Sequence, residues 1–199
     1  MIRIGVLALQ GDFREHCVAL RRLGAEAREV RLPSDLTGVE ALVIPGGEST
    51  VMGKLMVAYG LDAPLRERIR AGMPTWGTCA GMILLARATD NALQGQPLLA
   101  AMDIRVRRNA FGAQRESFEA DLRVPVLGAH PFRAVFIRGP MVEEFGPDVE
   151  VLARLDAGQI VAVRQGPLVG TAFHPEVTED LRFHEYFLAI ARSATVAAG

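Results

Sequence analysis

The sequence has only two cysteines, Cys17 and Cys79, in 199 residues. There is no CxxC pair and no Cys/His spacing of the zinc type, so neither a disulfide framework nor a structural metal site is indicated. No stretch approaches the ~20 consecutive apolar residues of a membrane-spanning helix. The apolar run Ile2 to Leu9 is too short for the core of a signal peptide and passes into Gln10-Gly11-Asp12 without a cleavage site. Charge of one sign is also lacking. With 22 Lys and Arg against 23 Asp and Glu, the net charge is -1, which gives no global attraction for nucleic acid or an anionic membrane. Internal repeats, low-complexity segments and linkers are absent too. One domain spanning residues 1–199 is expected, in a soluble cytoplasmic protein.

Apolar residues are plentiful, at 50% of the chain, enough to build a sizeable core at this length. They are arranged as strand, loop and helix in alternation. Ile4 to Leu9 reads as a central strand covered on both faces. Phe13 to Leu23 carries Phe13, Cys17, Leu20 and Leu23 at helical spacing, with Gly24 as a C-terminal cap. Cys17 belongs to that buried stripe. Ala27 to Leu32 and Ala41 to Ile44 read as further strands, Val51 to Tyr59 and Pro64 to Ala71 as helices. This is the pattern of an α/β fold, a doubly wound and mainly parallel sheet flanked by helices. After Gln94-Gly95-Gln96-Pro97 the pattern changes. Ile104 to Arg107, Phe118 to Leu122 and Ala134 to Ile137 are strands without long helices between them, which predicts an antiparallel excursion. Val149 to Ala153, Ile160 to Arg164 and Leu168 to Phe173 are three more strands. Leu181 to Ala194 is a closing helix, with a frayed tail after it.

Two loops stand out against this frame. Pro45-Gly46-Gly47-Glu48-Ser49-Thr50 precedes a helix but lacks the spacing of a phosphate-binding Walker loop. Its glycines let the backbone approach a ligand, while Ser49 or Thr50 can cap the helix. In Gly77-Thr78-Cys79-Ala80-Gly81, a strand turns into a helix on a cysteine between small residues, as a sharp elbow requires. That turn would lift the thiol above the sheet at a helix N-terminus, where positive potential favours the nucleophilic thiolate. A small buried hydrophobe is the competing reading of Cys79. In doubly wound sheets ligands sit at strand carboxyl ends, so both loops could face one crevice.

A catalytic thiol needs a base, and the base needs an orienting group. His16 and His184 lie on the first and last helices and read as surface or boundary residues. His130 precedes a proline and has no carboxylate two residues on. His174 alone follows an apolar strand and has an acid, Glu176, at i+2. In extended backbone those side chains share one side, with Pro175 restricting the chain between them. A structural His-Pro-Glu turn is the alternative. Arg105, Arg107 and Arg108 form a basic cluster that a solvated strand edge explains.

Gly77-Thr78-Cys79-Ala80-Gly81 with a distant His174-Pro175-Glu176 resembles the class I glutamine amidotransferases. Gly5 to Gly11, Glu15-His16, Pro45 to Thr50, Arg108-Asn109, Phe111-Gly112, Ser117 to Asp121, Phe136-Ile137-Arg138 and Phe173 to Glu176 resemble, in order, the glutaminase subunits of pyridoxal 5'-phosphate synthases. The resemblance runs from the first strand to the last helix. It implies that Cys79 attacks the side-chain amide of glutamine, that His174 moves the proton, and that Glu176 orients His174. It also implies an oxyanion hole from the Gly47 and Ala80 N–H groups, with a flexible Gly46-Gly47 peptide as a switch. Gly47, Glu48, Ser49, Arg108, Ile137 and Arg138 would line the glutamine site, which moves Arg108 from strand edge to binding residue.

No cofactor or metal is implied. The implied partner is a synthase subunit that takes up the ammonia and makes pyridoxal 5'-phosphate from a pentose phosphate and a triose phosphate. That compound would be the complex's product and not a ligand here. Arg123 to Phe132 looks like a variable loop, and Gln94-Gly95-Gln96-Pro97 is not distinctive. Two alternatives stay open: the glutaminase subunit of another ammonia-using synthase, such as that of imidazole glycerol phosphate, and a non-catalytic regulatory module.

Overall fold

The apolar runs of the N-terminal half become strands with both faces covered. In the computed structural model, which describes residues 1–90, 95–111 and 117–197, β1 (Arg3–Leu7) is buried from Ile4 onward. α1 (Phe13–Arg22) leads to β2 (Glu26–Val30), parallel to β1 on one side, and β3 (Ala41–Ile44) is parallel to β1 on the other. From β3 the chain passes through α2 (Ser49–Ala58) and α3 (Asp62–Arg70) to β4 (Thr75–Thr78), parallel beside β3. Parallel crossovers are right-handed. Stepping one way to β2 and the other way to β4 therefore puts α1 on one face and α2 with α3 on the opposite face. The sheet is doubly wound, and its order reverses at β1, opening a crevice at the strand carboxyl ends.

Beyond β4 the structure departs from the simplest reading. α4 (Ala80–Leu85) is short and wholly buried, and β5 (Ala86–Asp90) follows at once. The sequence did not announce β5, because the apolar run passes from helix to strand without a break. β5 pairs in parallel with β6 (Met102–Arg107) at the far edge of the sheet. β7 (Ser117–Leu122) and β8 (Phe132–Ile137) form a separate antiparallel ribbon. The segment between them, expected as a variable loop, contains a 3-10 turn at Pro125–Leu127. β9 (Met141–Phe145) was not anticipated either, since its two adjacent glutamates interrupt the apolar pattern.

β10 (Glu150–Arg154), β11 (Ile160–Gln165) and β12 (Leu168–Thr171) complete a main sheet ordered β2-β1-β3-β4-β12-β11-β9-β6-β5, with β10 on β11. The antiparallel excursion exists through β12-β11-β9-β6. It differs from expectation in two ways: β5 and β6 are parallel to each other, and β12 returns to lie parallel to β4. That return is what brings the segment after β12 alongside the segment after β4. α5 (Arg182–Ala197) closes the fold and runs past Ala194, where a frayed tail was expected, because no glycine or proline interrupts it. Among the described residues no helix is long and apolar enough to cross a membrane.

Candidate active site

The elbow at Cys79 is built by two glycines that touch. A Cβ at Gly77 would collide with the Gly81 carbonyl carbon, and one at Gly81 would collide with Ile44 O at the end of β3. Only hydrogen fits at either position, so α4 can start directly on top of β3 and β4. The cost of the sharp turn falls on Cys79, whose φ of 46° and ψ of -102° are unusual for a residue with a side chain. Its N–H is anchored to Thr171 O on β12 at 2.7 Å, and the thiol lies 3.8 Å from Ile137 O. Cys17 is different: it is buried in the apolar stripe of α1, and burial pushes its thiol pKa up.

The Gly46-Gly47 loop lies against His174. A Cβ on Gly46 would fall into the His174 ring, so this strand end must be bare for the two segments to meet. The loop is held from β1's end: Asp12 N donates to Gly46 O at 3.2 Å, and Glu48 N donates to Gln10 Oε1 at 2.7 Å. The helix cap differs from expectation. Neither Ser49 nor Thr50 caps α2; both fall inside it, and Glu48 accepts from Thr50 N at 3.0 Å and Val51 N at 2.8 Å. Burial alone would raise the Glu48 carboxyl. The Thr50 and Val51 backbone donors and the Arg108 guanidinium outweigh it and hold the pKa below the ordinary value.

His174 and Glu176 meet, though by another route than extended backbone. Pro175–Val177 forms a 3-10 turn, and this turn brings Glu176 Oε1 to 2.7 Å from His174 Nδ1. Asp12 Oδ2 lies 3.4 Å from the same nitrogen. Burial pulls the His174 imidazole down, but its interactions with Cys79 and with the Glu176 carboxylate win, pushing it up to about 10. Glu176 is fully enclosed, and burial raises its carboxyl despite the offsetting bond to His174. His16 and His184 are not surface residues: both are completely buried, on the protein side of Glu176. Their helices turn these positions inward, which spacing along the chain did not show.

A cavity of about 490 Å³ gathers Gly47, Glu48, Ser49, Cys79, Ala80, Arg108, Ile137, Arg138 and His174, which are all the residues the sequence nominated except Glu176, behind His174. Arg108 reaches in to Glu48 Oε1 at 2.9 Å and Thr50 Oγ1 at 3.1 Å. Its neighbours are solvated as expected but not on an edge, because β5 and β9 flank β6: Arg105 pairs with Asp90 and Glu144, and Arg107 with Glu143. Asp12, Ile83 and Asn109 also line the cavity and were not nominated. Asn109 and Arg138 share with Cys79 a left-handed φ, at 48° and 47°. Strain of this kind concentrates at functional sites, and asparagine is among the residues that tolerate it best.

Gln96 corrects the reading of its segment as undistinctive. It accepts from Arg108 at 2.7 Å and donates to Ser49 Oγ at 3.0 Å, so it locks the binding side of the cavity. No local signal marked it, since its partners are distant in sequence. Gln94 and Gly112 of the quoted motifs lie outside the described residues.

The profile of the SNO glutamine amidotransferase family matches residues 6–193. A protein named pyridoxal 5'-phosphate synthase subunit PdxT from Roseiflexus sp. (strain RS-1) is 59% identical over 187 residues, covering 94% of this chain and 99% of that protein. Its namesake from Herpetosiphon aurantiacus is 58% identical over 188 residues, with the same coverage of both. A crystal structure of a glutamine amidotransferase superposes with a TM-score of 0.88 at 52% identity, covering 94% of this chain and 98% of the other.

Proposed function

The chain belongs to the SNO glutamine amidotransferase family, and we propose that Cys79, His174 and Glu176 carry out its glutamine hydrolysis in the cavity they border. The activity is that of the glutaminase subunit of a pyridoxal 5'-phosphate synthase. One observation supports the residue assignment most: the 2.7 Å bond from His174 Nδ1 to Glu176 fixes the imidazole and leaves its Nε2, which has no hydrogen-bond partner among the described residues, for the Cys79 sulfur.

The cavity suits a zwitterionic amino acid. Arg108 and Arg138 offer positive charge for the α-carboxylate, Glu48 and Asp12 offer negative charge for the α-ammonium, and Ser49 and Ile137 shape the space between. Cys79 passes its proton to His174 Nε2 as its Sγ attacks the amide carbon; the C–S bond forms and the carbonyl electron pair moves onto oxygen. The Gly47 and Ala80 N–H groups stabilise that oxyanion, each by roughly 3 kcal/mol in the transition state. His174 then gives its proton to the departing nitrogen. The C–N bond breaks, ammonia leaves, and a glutamyl thioester remains. In the second half His174 takes a proton from water, which attacks the thioester; the C–S bond breaks, His174 returns the proton to the departing Cys79 sulfur, and glutamate is released. Glu176 keeps the imidazole in the required tautomer and stabilises its protonated form.

The ammonia passes to the synthase subunit, which joins it to a pentose phosphate and a triose phosphate. Residues 1–199 act as one domain and work in the cytoplasm. The partner sets the Gly46-Gly47 peptide for oxyanion binding, so the isolated chain is the less active form. Ammonia release from glutamine, measured with and without a synthase subunit, tests this reading. Release should rise on adding the synthase and vanish in Cys79→Ala. Full turnover in that variant would overturn the assignment.

A further inference from the structure

Behind Glu176, away from the cavity, two buried imidazoles have no part in the chemistry above. His16 on α1 and His184 on α5 are completely buried, with His16 Nδ1 3.0 Å from His184 Nε2. On its other side His16 Nε2 lies 3.2 Å from Thr78 Oγ1 and 3.4 Å from Glu176 Oε2. The Trp76 ring packs edge-on against both imidazoles. The pair thus touches the residue before the nucleophile and the carboxylate behind the base. Two enclosed imidazoles are a costly filling for a core, because each must replace its hydrogen bonds to water.

We propose that His16, held in one tautomer by His184, is a positioning residue for glutamine hydrolysis, sharing its Nε2–H between Glu176 Oε2 and Thr78 Oγ1. The proposal rests on the assignment of Glu176 made above. The tautomers follow from counting donors. Glu176 Oε1 is engaged by His174, while Oε2 has no partner with full hydrogen-bond geometry among the described residues. A buried carboxylate oxygen needs a donor, and His16 Nε2 is the nitrogen facing it. With its hydrogen on Nε2, a neutral His16 accepts at Nδ1 and takes the Nε2–H of His184. His184 Nδ1 is then a bare lone pair, and it is the ring nitrogen that lacks a partner among the described residues. The reverse arrangement would bury an N–H on that nitrogen with no acceptor and turn the His16 lone pair toward a carboxylate. Orphaned buried N–H groups are the rarer and costlier outcome.

Both imidazoles are neutral. Desolvation, then the electrostatic influence of the neighbouring His184 and His174 imidazoles, holds His16 well below its ordinary value, and desolvation pushes His184 down to about 4. The support given to Glu176 is therefore a directed hydrogen and not a charge. Other titratable groups face the carboxylate from both sides. His174 and Asp12 lie toward the cavity, and Arg14, Glu15, Arg22 and Glu179 line the outer groove beside it.

The test is steady-state glutaminase against pH in the complex with a synthase subunit, for wild type, His16→Leu and His16→Gln. Leu fills the site without a donor; Gln restores one. Without the donor Glu176 protonates at higher pH, so in His16→Leu the acid limb of kcat should move up by about one pH unit. Its kcat near neutral pH should fall roughly tenfold with KM within about twofold, and His16→Gln should recover the limb and most of kcat. An unmoved acid limb in His16→Leu, or a His16→Gln as impaired as His16→Leu, would overturn the proposal. Should His16→Leu not fold, His184→Leu carries the test: it frees the tautomer and must shift the limb in the same direction by less. Cys79→Ala in the same assay separates the two readings. Cys79-independent ammonia release would mean the site assignment fails; Cys79-dependent release with an unmoved limb would mean only the role of His16 does.

Discussion

The parallel and antiparallel sides of this protein meet the same cavity in different ways. On the parallel side, β1, β3, β4 and β12 end in turns that carry Asp12, the Gly46-Gly47 loop, Cys79 and His174. These turns tolerate no extra atoms, and the acid-base groups behind them are enclosed and shifted, with His174 up to about 10 and His184 down to about 4. On the antiparallel side, β6 and β8 end in Arg108, Asn109 and Arg138, while Arg105, Arg107 and Arg133 along the same strands pair with acids at the surface. The contrast is physical. Parallel strands buried on both faces hold groups without water, where position sets reactivity; the exposed strands present charge that solvent screens.

Substitutions should separate the two sides. Gly81→Ala places a methyl group on Ile44 O and should cost about 4 kcal/mol or prevent folding, as read by denaturant unfolding. A loss under about 1 kcal/mol would mean the elbow is more pliant than it looks.

The second effect is a stability change with pH. His184 has its folded pKa lowered from 6.5 to about 4, so its contribution is complete above the unfolded value and is lost as pH falls from 6.5 toward 4. His174 is raised to about 10, so its contribution is complete below 6.5, is lost as pH rises from 6.5 toward 10, and changes little between pH 7 and pH 5. Wild type should therefore lose about 2 kcal/mol more than His184→Leu between pH 7 and pH 5. Equal losses would mean His184 is not held neutral.

On the antiparallel side, Arg108→Ala should raise KM for glutamine about tenfold with kcat within about threefold, because the role proposed for it is to hold the substrate without touching the reacting carbon. A collapse of kcat instead would join Arg108 to the chemistry. The smallest change is Arg105→Ala: this partly exposed arginine and its ion pairs are screened by solvent, so thermal melting should give a midpoint indistinguishable from wild type.

The two sides also differed in how far the sequence revealed them. β1 and β3 were visible as apolar runs because burial on both faces removes polar residues from them. Cys79, His174 and Glu176 stood out because the elbow and the His-Pro-Glu turn are local. β5 and β9 went unseen, one hidden in an apolar run and the other broken by acids. His16 and His184 looked like ordinary helix positions, and Gln96 had no motif at all. Their partners lie far along the chain, 168 residues away in the case of the two histidines.

By itself the sequence determined the doubly wound frame, the cysteine elbow, the glycine loop and the pairing of His174 with Glu176, since each is written in neighbouring residues and enforced by local sterics. The tertiary structure alone decided that β12 returns beside β4, which sets His174 against Cys79, and that Glu48 caps α2 while Arg108 and Gln96 hold the binding wall. It also decided that two helices bury His16 and His184 behind Glu176. Such contacts depend on which distant segments share a layer and exclude water together, and no local pattern of residues encodes that.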